Sequence, residues 1–208
     1  MLFGIDIKDS QPPKIISAFA YPIGGDAHIN ESTELTKLRL KEENNGTYSV
    51  ENIKAYGKIG FGIETYDRQD LAANKNGVSN IQTFFNGNKN FEIDFQLFSF
   101  HETQNLNRLN DYEYYENENT RIQKLFVQQN NPLSLYKDVD SNGYVQVEDS
   151  TSSVYKVRVK DFKDNDSCIT INIKGEKIDA LKPKYIKATD YFVYENQSTT
   201  LEKENVFV

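Results

Sequence analysis

The sequence predicts an all-β fold, and three observations lead to this prediction. Apolar residues alternate with polar ones in several short runs, Asn-Gly pairs recur, and tyrosine and phenylalanine are abundant at 13 each. Alternation with period two is typical of strands that bury one face and expose the other. Aromatic side chains favour such half-buried pleated surfaces. We therefore expect antiparallel sheets with helix as a minor component.

Four runs carry the alternation along the chain. The residues that share one face in each run are Ile59, Phe61, Ile63 and Thr65, then Phe91, Ile93, Phe95 and Leu97, then Tyr155, Val157 and Val159, and finally Ile169, Ile171 and Ile173. Four Asn-Gly pairs are candidates for tight turns, because Asn and Gly accept positive φ at low cost. These pairs are Asn45-Gly46, Asn76-Gly77, Asn86-Gly87 and Asn142-Gly143.

The length of 208 residues is sufficient for two small β-sandwiches. A polar, Asn-rich stretch over residues 102–119 separates the alternating runs, and the spacing of Leu106, Leu109 and Tyr112 leaves room for a short helix there. We predict two tandem immunoglobulin-like antiparallel sandwiches. The first, with an N-terminal linker, covers 1–101, the connector covers 102–119, and a second, smaller sandwich covers 120–176. Residues 177–208 are interpreted as a linker and the start of a truncated further module.

A short internal repeat agrees with this division. Asp67-Arg68-Gln69-Asp70 and Asp161-Phe162-Lys163-Asp164 each follow an alternating strand and precede a polar turn. An Asp at the end of a strand can accept a hydrogen bond from the backbone N–H two residues further on and so start a turn.

Composition excludes several partners. The net charge of −7 disfavours nucleic acid and anionic lipid. No apolar run approaches the roughly 18 residues that span a bilayer, so membrane insertion is not expected. The first residues also lack the features of a signal peptide.

The residues that commonly carry catalysis are sparse. The two histidines, His28 and His101, are far apart in sequence, and His28 is expected to be solvated in a Gly/Asp-rich loop. Cys168 begins an alternating run and is interpreted as a small structural residue. Gly57, Gly60 and Gly62 lie within a strand pattern, where close backbone packing is a better interpretation than a phosphate cradle. We therefore predict no enzymatic activity, no catalytic residue and no cofactor in this chain.

One segment has the spacing of a calcium loop. Asp138, Asp140 and Asn142 occupy its first, third and fifth positions, Gly143 the sixth and Asp149 the last. The flanking residues look like strand rather than helix, and an Asn-Gly hairpin is the favoured alternative. Tyr112, Tyr114 and Tyr115 are open to two interpretations, a sugar platform or, preferred, packing between domains.

Several stretches resemble a known family. They are LFGIDIKDSQPPKII (2–16), IGFGI (59–63), YDRQD (66–70), FSFHE (98–102), DYEYY (111–115), QKLFV (123–127), LSLY (133–136) and TTLEKENVFV (199–208). Together they resemble the non-catalytic β-sandwich region that follows the catalytic domain in LytM-type, lysostaphin-like zinc metallopeptidases of Bacteroidetes.

The resemblance implies an accessory or positioning region of a peptidoglycan endopeptidase. It places the chain in the bacterial cell envelope, in the periplasm or at the outer surface, with the upstream catalytic domain as a partner. The zinc of that family is held by HxxxD and HxH motifs, which are absent here, so no metal or catalytic residue carries over. We expect a peptidase domain before residue 1 and a β module after residue 208. The alternative is a stand-alone envelope module that binds wall glycan or an envelope protein.

Overall fold

A computed structural model describes residues 8–97 and 99–178. Strands dominate these residues. They are β1 (Lys14–Ile29), β2 (Thr36–Leu38), β3 (Leu40–Asn44), β4 (Thr47–Tyr66), β5 (Asn80–Phe85), β6 (Asn88–Asp94), β7 (Gln123–Lys124), β8 (Tyr136–Val139), β9 (Val145–Val147), β10 (Ser152–Lys160) and β11 (Asp166–Gly175).

The helices described are short, and both α-helices lie in the predicted connector. α1 spans Thr103–Asn107 and α2 spans Tyr112–Glu118, and 3-10 turns cover Phe100–Glu102 and Ser141–Gly143. Ser99 and Glu102 form a reciprocal capping box at the first turn, which ties down two otherwise unpaired N–H groups. Within the described residues, no helix is long and apolar enough to cross a membrane.

All eleven strands belong to one mixed sheet. Its main order is β2-β1-β4-β11-β10-β5-β6-β8, and β3, β7 and β9 also pair with β4. The 20-residue β4 changes partners along its length, with β3 and β11 beside its first part and β1, β9 and β7 beside its second. The all-β prediction is therefore confirmed. A purely antiparallel arrangement was expected, but β4 and β11 run parallel.

Tandem immunoglobulin-like sandwiches are not confirmed. β10 and β11 follow the predicted connector at 102–119, yet they pair with β5 and β4, which precede it. The backbone N–H and C=O groups of buried strands need hydrogen-bond partners, and here strands of the first half provide them. Strands from 1–101 and from 120–176 thus lie in the same sheet.

The alternating runs bury the faces that the sequence predicts. Ile59, Phe61 and Ile63 are buried, and so are the three apolar residues of β10 and the three isoleucines of β11. Phe91 and Ile93 are also buried, whereas Leu97 lies beyond β6 and is exposed. The sheet curls so that these faces share one core, since the rings of Phe61 and Tyr155 stack within it.

Two of the four Asn-Gly pairs form hairpin turns. Asn86 and Gly87 both have positive φ and join β5 to β6, and Asn45-Gly46 joins β3 to β4 with positive φ at the glycine. Asn76 instead forms an isolated bridge with Asp67.

The predictions for the chain ends fall largely outside the described residues. These include residues 2–7, Phe98, the greater part of the 177–208 segment and the 199–208 motif.

Candidate binding cleft

The connector lies against β7 and so forms one wall of a cleft. Asn110 and Gln123 form a β-bridge, the Asp111 N–H donates to the Ile122 carbonyl (2.9 Å), and the Lys124 N–H donates to the Leu109 carbonyl (2.9 Å). Because β7 itself pairs with β4, these bonds fix the start of α2 relative to the central sheet.

Glycines in β4 allow the residues on either side of β7 to pack closely against β4. A Cβ at Gly60 would lie 2.6 Å from the Phe126 ring, and a Cβ at Gly62 would lie 2.6 Å from Cγ2 of Ile122. Both distances are shorter than van der Waals contact. The interpretation of these glycines as sites of close packing is therefore consistent with the structure.

The cleft has a volume of about 650 Å³. Its lining combines tyrosine rings, side-chain amides and charged groups of both signs. The lining includes Arg108, Asp111, Tyr112, Tyr115, Arg121 and Lys124.

Lys124 is the unusual residue of this cleft. Only 7% of the residue is exposed, and burial lowers the pKa of its ammonium group, with Arg108 adding to the effect and Asp111 opposing it. Within the described ranges 8–97 and 99–178 its Nζ forms no hydrogen bond or ion pair, and it is not one of the fully enclosed unpaired atoms, so the ammonium faces the cleft. A cation that is largely removed from water and has no partner in the protein favours an incoming anionic or strongly polar group.

The two arginines of the cleft already have partners. The Arg108 guanidinium donates to the carbonyls of Gln129 (2.8 Å) and Asn130 (2.9 Å) and thereby holds the segment after β7. The Arg121 guanidinium lies over the Tyr115 ring at 5.1 Å. This cation–π contact holds the guanidinium against the face of the ring at the edge of the cleft.

Asp111 connects α2 to the sheet. Its Oδ1 accepts from the Tyr114 N–H (3.1 Å) as the N-cap of α2, and its Oδ2 accepts from the Tyr21 hydroxyl (2.8 Å). Burial and the Asp111 charge raise the pKa of Tyr21, which therefore remains a hydrogen-bond donor. Asp111 thus serves to position α2 and its tyrosines.

Two further depressions adjoin the cleft. One, of about 530 Å³, shares Asp111 and Glu113 with it, and another, of about 520 Å³, shares Gln128. The second is lined mainly by amides of the 128–131 segment. Both depressions share lining residues with the cleft, so the three together suit an extended ligand rather than a compact one.

The predicted calcium-loop residues lie apart. Asp138, at the end of β8, pairs with Lys89 at 2.6 Å, and Asp140 accepts from the Ser141 hydroxyl. Asn142 has positive φ within the 3-10 turn. Asp149 lies between β9 and β10, where its Oδ1 accepts from the Lys177 N–H. Within residues 8–97 and 99–178 these carboxylates do not form a group of three within 4.8 Å.

The hairpin proposed for the same residues is wrong. β8 pairs with β6 and β9 pairs with β4, so the strands on either side of Asn142-Gly143 do not pair with each other. Instead the turn redirects the chain. A Cβ at Gly143 would lie 2.6 Å from the Leu125 carbonyl oxygen, which explains the glycine.

The expectation for His28 is also wrong. The residue is fully buried in β1, because a bulge between Ile23 and His28 turns its ring inward beside Tyr56. Burial lowers the pKa of His28, against the opposing charges of Glu176 and Glu31. His101 is exposed in the 3-10 turn. Burial raises the pKa of Cys168, which favours its neutral thiol.

The three tyrosines of the connector have different environments. Tyr114 packs edge-on against Phe19 with ring centroids 5.3 Å apart. Tyr112 is 67% exposed, and the ring of Tyr115 lies beneath the Arg121 guanidinium. Tyr114 therefore packs against the sheet, whereas Tyr112 and Tyr115 line the cleft, and packing between domains stays a prediction. The sequence offered one overlooked signal, a lysine directly before the apolar run from Leu125 to Val127.

Comparisons with known proteins add no relative. No family model, no curated protein and no solved structure gives a significant match to the chain. The resemblance to LytM-type peptidases therefore rests on the short motifs quoted above.

Proposed function

We propose that this chain is a non-catalytic accessory region of an envelope peptidoglycan metalloendopeptidase, and that its cleft binds wall glycan. The observation that carries the binding role is the Lys124 ammonium, which belongs to a largely buried residue, has no partner among the described residues and faces a cleft bordered by Tyr112 and Tyr115. The peptidase context is supported by the sequence motifs alone.

Peptidoglycan matches this lining chemically. Tyrosine presents an apolar ring and a polar hydroxyl, which suits the alternating apolar faces and hydroxyl edges of sugars. Amides and charged groups then fix orientation by hydrogen bonding. Carboxylates on the glycan or its peptide stems provide the anionic group that Lys124 lacks, and Arg121 adds a second cation nearby.

The arrangement of the depressions favours a polymer. A glycan strand that occupies the cleft and extends into the adjoining depressions would make several weak contacts that add along one molecule. In this way the region holds an upstream catalytic domain, with its own zinc, on the wall. Contact with an envelope protein is the competing outcome of the test below.

The test is co-sedimentation of the purified chain with insoluble peptidoglycan. We expect the chain to pellet with the wall, and Tyr112→Ala to reduce the bound fraction. Phe162→Ala is the matched control, because Phe162 has the same exposure of 67% but lies outside the cleft. Equal binding by both variants, or no pelleting at all, would exclude the cleft as a glycan site. Capture of an envelope protein without wall binding would support the alternative.

A further inference from the structure

Three carboxylates from distant parts of the chain lie close together beside the two Asp-x-x-Asp turns. Asp9 precedes β1, Asp67 follows β4 directly and Asp161 follows β10 directly. One carboxylate oxygen of each lies within 4.8 Å of those of the other two. Asp67 and Asp161 are the first residues of the two Asp-x-x-Asp repeats, so the sequence repeat corresponds to a shared location.

Asp67 lacks the hydrogen bonds that its burial requires. The residue is 3% exposed, and its Oδ1 is buried without a hydrogen-bond partner among the residues that the structure describes. The Arg68 N–H donates to this carboxylate and stabilises its charged form. An unsatisfied buried carboxylate oxygen is costly, and such groups call for a ligand.

Asp161 is held rigidly beside it. Its Oδ1 accepts from the N–H groups of Lys163 (2.7 Å) and Asn165 (3.0 Å), and its Oδ2 accepts from the Asn165 side chain (2.7 Å). The same Asn165 amide donates to the Asp9 carbonyl oxygen (3.2 Å). The turn after β10 thus positions two of the three carboxylates.

The electrostatic environment is unfavourable without a cation. Burial and the neighbouring Asp9 carboxylate raise the pKa of Asp67 to about 6, and Asp161 contributes in the same direction. Burial, Asp161 and Asp70 raise the pKa of Asp9, while its Gln11 N–H contact and the Lys163 charge act against them. A bound cation would remove the repulsion among the three carboxylates.

We propose that Asp9, Asp67 and Asp161 bind one calcium ion. An all-oxygen set suits a hard cation, whereas zinc prefers nitrogen and sulfur ligands. Calcium accepts six to eight oxygen ligands in a flexible geometry, whereas magnesium requires a near-ideal octahedron and keeps several waters, so three carboxylates brought together by separate strands suit calcium better. Asp9 is partly exposed, so water can complete the coordination shell.

This site goes beyond glycan binding and does not depend on it. The ion would connect the segment before β1 to the ends of β4 and β10. A neighbouring contact acts on the same segment, because the Ser10 hydroxyl donates to the Asp70 carboxylate of the first repeat (3.0 Å). The ion and this hydrogen bond would together hold the segment before β1 against the turn after β4. The role is therefore to anchor the entry of the chain onto the sheet.

The experiment is calorimetric titration of calcium chloride into the metal-free full chain, with melting temperatures measured in about 1 mM calcium and in chelator. We expect one calcium per chain and a rise in melting temperature of about 2–4 °C. Asp67→Asn should abolish binding and the shift. In chelator it should melt no lower than the unmodified chain, because the amide removes a buried unpaired charge. Asp9→Asn, at a partly exposed residue, gives a second variant that should also lose the shift.

Two control variants separate this site from its neighbours. Asp164→Asn removes an exposed carboxylate from the same turn, and Asp140→Ala removes one from the loop predicted by spacing. Both should keep the calcium shift. The proposal is overturned by the absence of binding at about 10 mM calcium, by shifts retained in both Asp67→Asn and Asp9→Asn, or by a shift lost only in Asp140→Ala. A larger shift with magnesium than with calcium would overturn the choice of ion.

Discussion

The rings of Phe61 and Tyr155 stack with their centroids 4.1 Å apart, although β11 lies between β4 and β10 in the sheet. Both residues are fully buried. A flat sheet could not bring these rings together, so the contact results from the curl of the sheet around the core. It also joins residues on either side of the connector, and the two halves should therefore depend on each other for stability.

Phe61→Ala tests this dependence. We expect the free energy of unfolding to fall by about 3–5 kcal/mol, because the substitution leaves a cavity in a fully packed core. Urea unfolding followed by circular dichroism should show a single transition that moves as a whole. Phe162→Ala should change stability by less than about 0.5 kcal/mol, since that ring is exposed. Two transitions, with only one displaced in Phe61→Ala, would instead favour independent tandem sandwiches.

Acid sensitivity should depend on His28. Burial lowers the pKa of its imidazole, so below about pH 6.5 the unfolded chain takes up a proton that the folded chain resists. The free energy of unfolding should therefore decrease as the pH falls through this range, despite the opposing charges of Glu176 and Glu31. His28→Phe should remove this contribution between about pH 7 and pH 5, where the raised pKa of Asp67 acts in the opposite direction.

His101→Asn is the control for this pH series. The residue is exposed, and its replacement should leave the slope unchanged. A slope that survives in His28→Phe would assign the acid sensitivity to carboxylates instead.

Local patterns predicted local structure well here. The spacing of Ile169, Ile171 and Ile173 was sufficient to identify a strand and its buried face, because alternation depends only on neighbouring residues. The same pattern carries no information on which strand lies alongside. The parallel pairing of β11 with β4 joins residues more than a hundred positions apart, so it had to come from tertiary structure.

The sites illustrate the same limit. Each Asp-x-x-Asp turn could be recognised by itself, but the meeting of Asp67, Asp161 and Asp9 depends on the order of strands in the sheet. Lys124 was part of the QKLFV stretch, which gave no sign of a binding role, and its burial follows from packing against the connector. His28 was misjudged because glycines and an aspartate precede it, and the bulge that turns it inward is set by its pairing with β4.

Lys124→Met should raise stability and weaken binding together. Methionine fills a similar volume without a charge, so the free energy of unfolding should increase by about 1 kcal/mol at neutral pH. Affinity for peptidoglycan fragments should fall about tenfold if the ammonium contacts an anionic group. Urea unfolding and calorimetric titration with soluble fragments measure the two effects. Weaker binding in a more stable variant cannot result from unfolding, and unchanged affinity would remove Lys124 from the site.

Gly62→Ala should disturb the cleft through the sheet beneath it. The new methyl group would lie 2.6 Å from Cγ2 of Ile122 and 3.1 Å from the Tyr21 ring, so β7 must shift away from β4. Overpacking of this kind costs about 1–3 kcal/mol. Because Lys124 pairs with Gly62 in the sheet, the same shift should lower the affinity for peptidoglycan.

Gly77→Ala is the matched control, since open space surrounds that position and its φ is unremarkable. Its stability and binding should stay within error of the unmodified chain. Full stability and binding in Gly62→Ala would contradict the view that close packing of β7 on β4 builds the cleft.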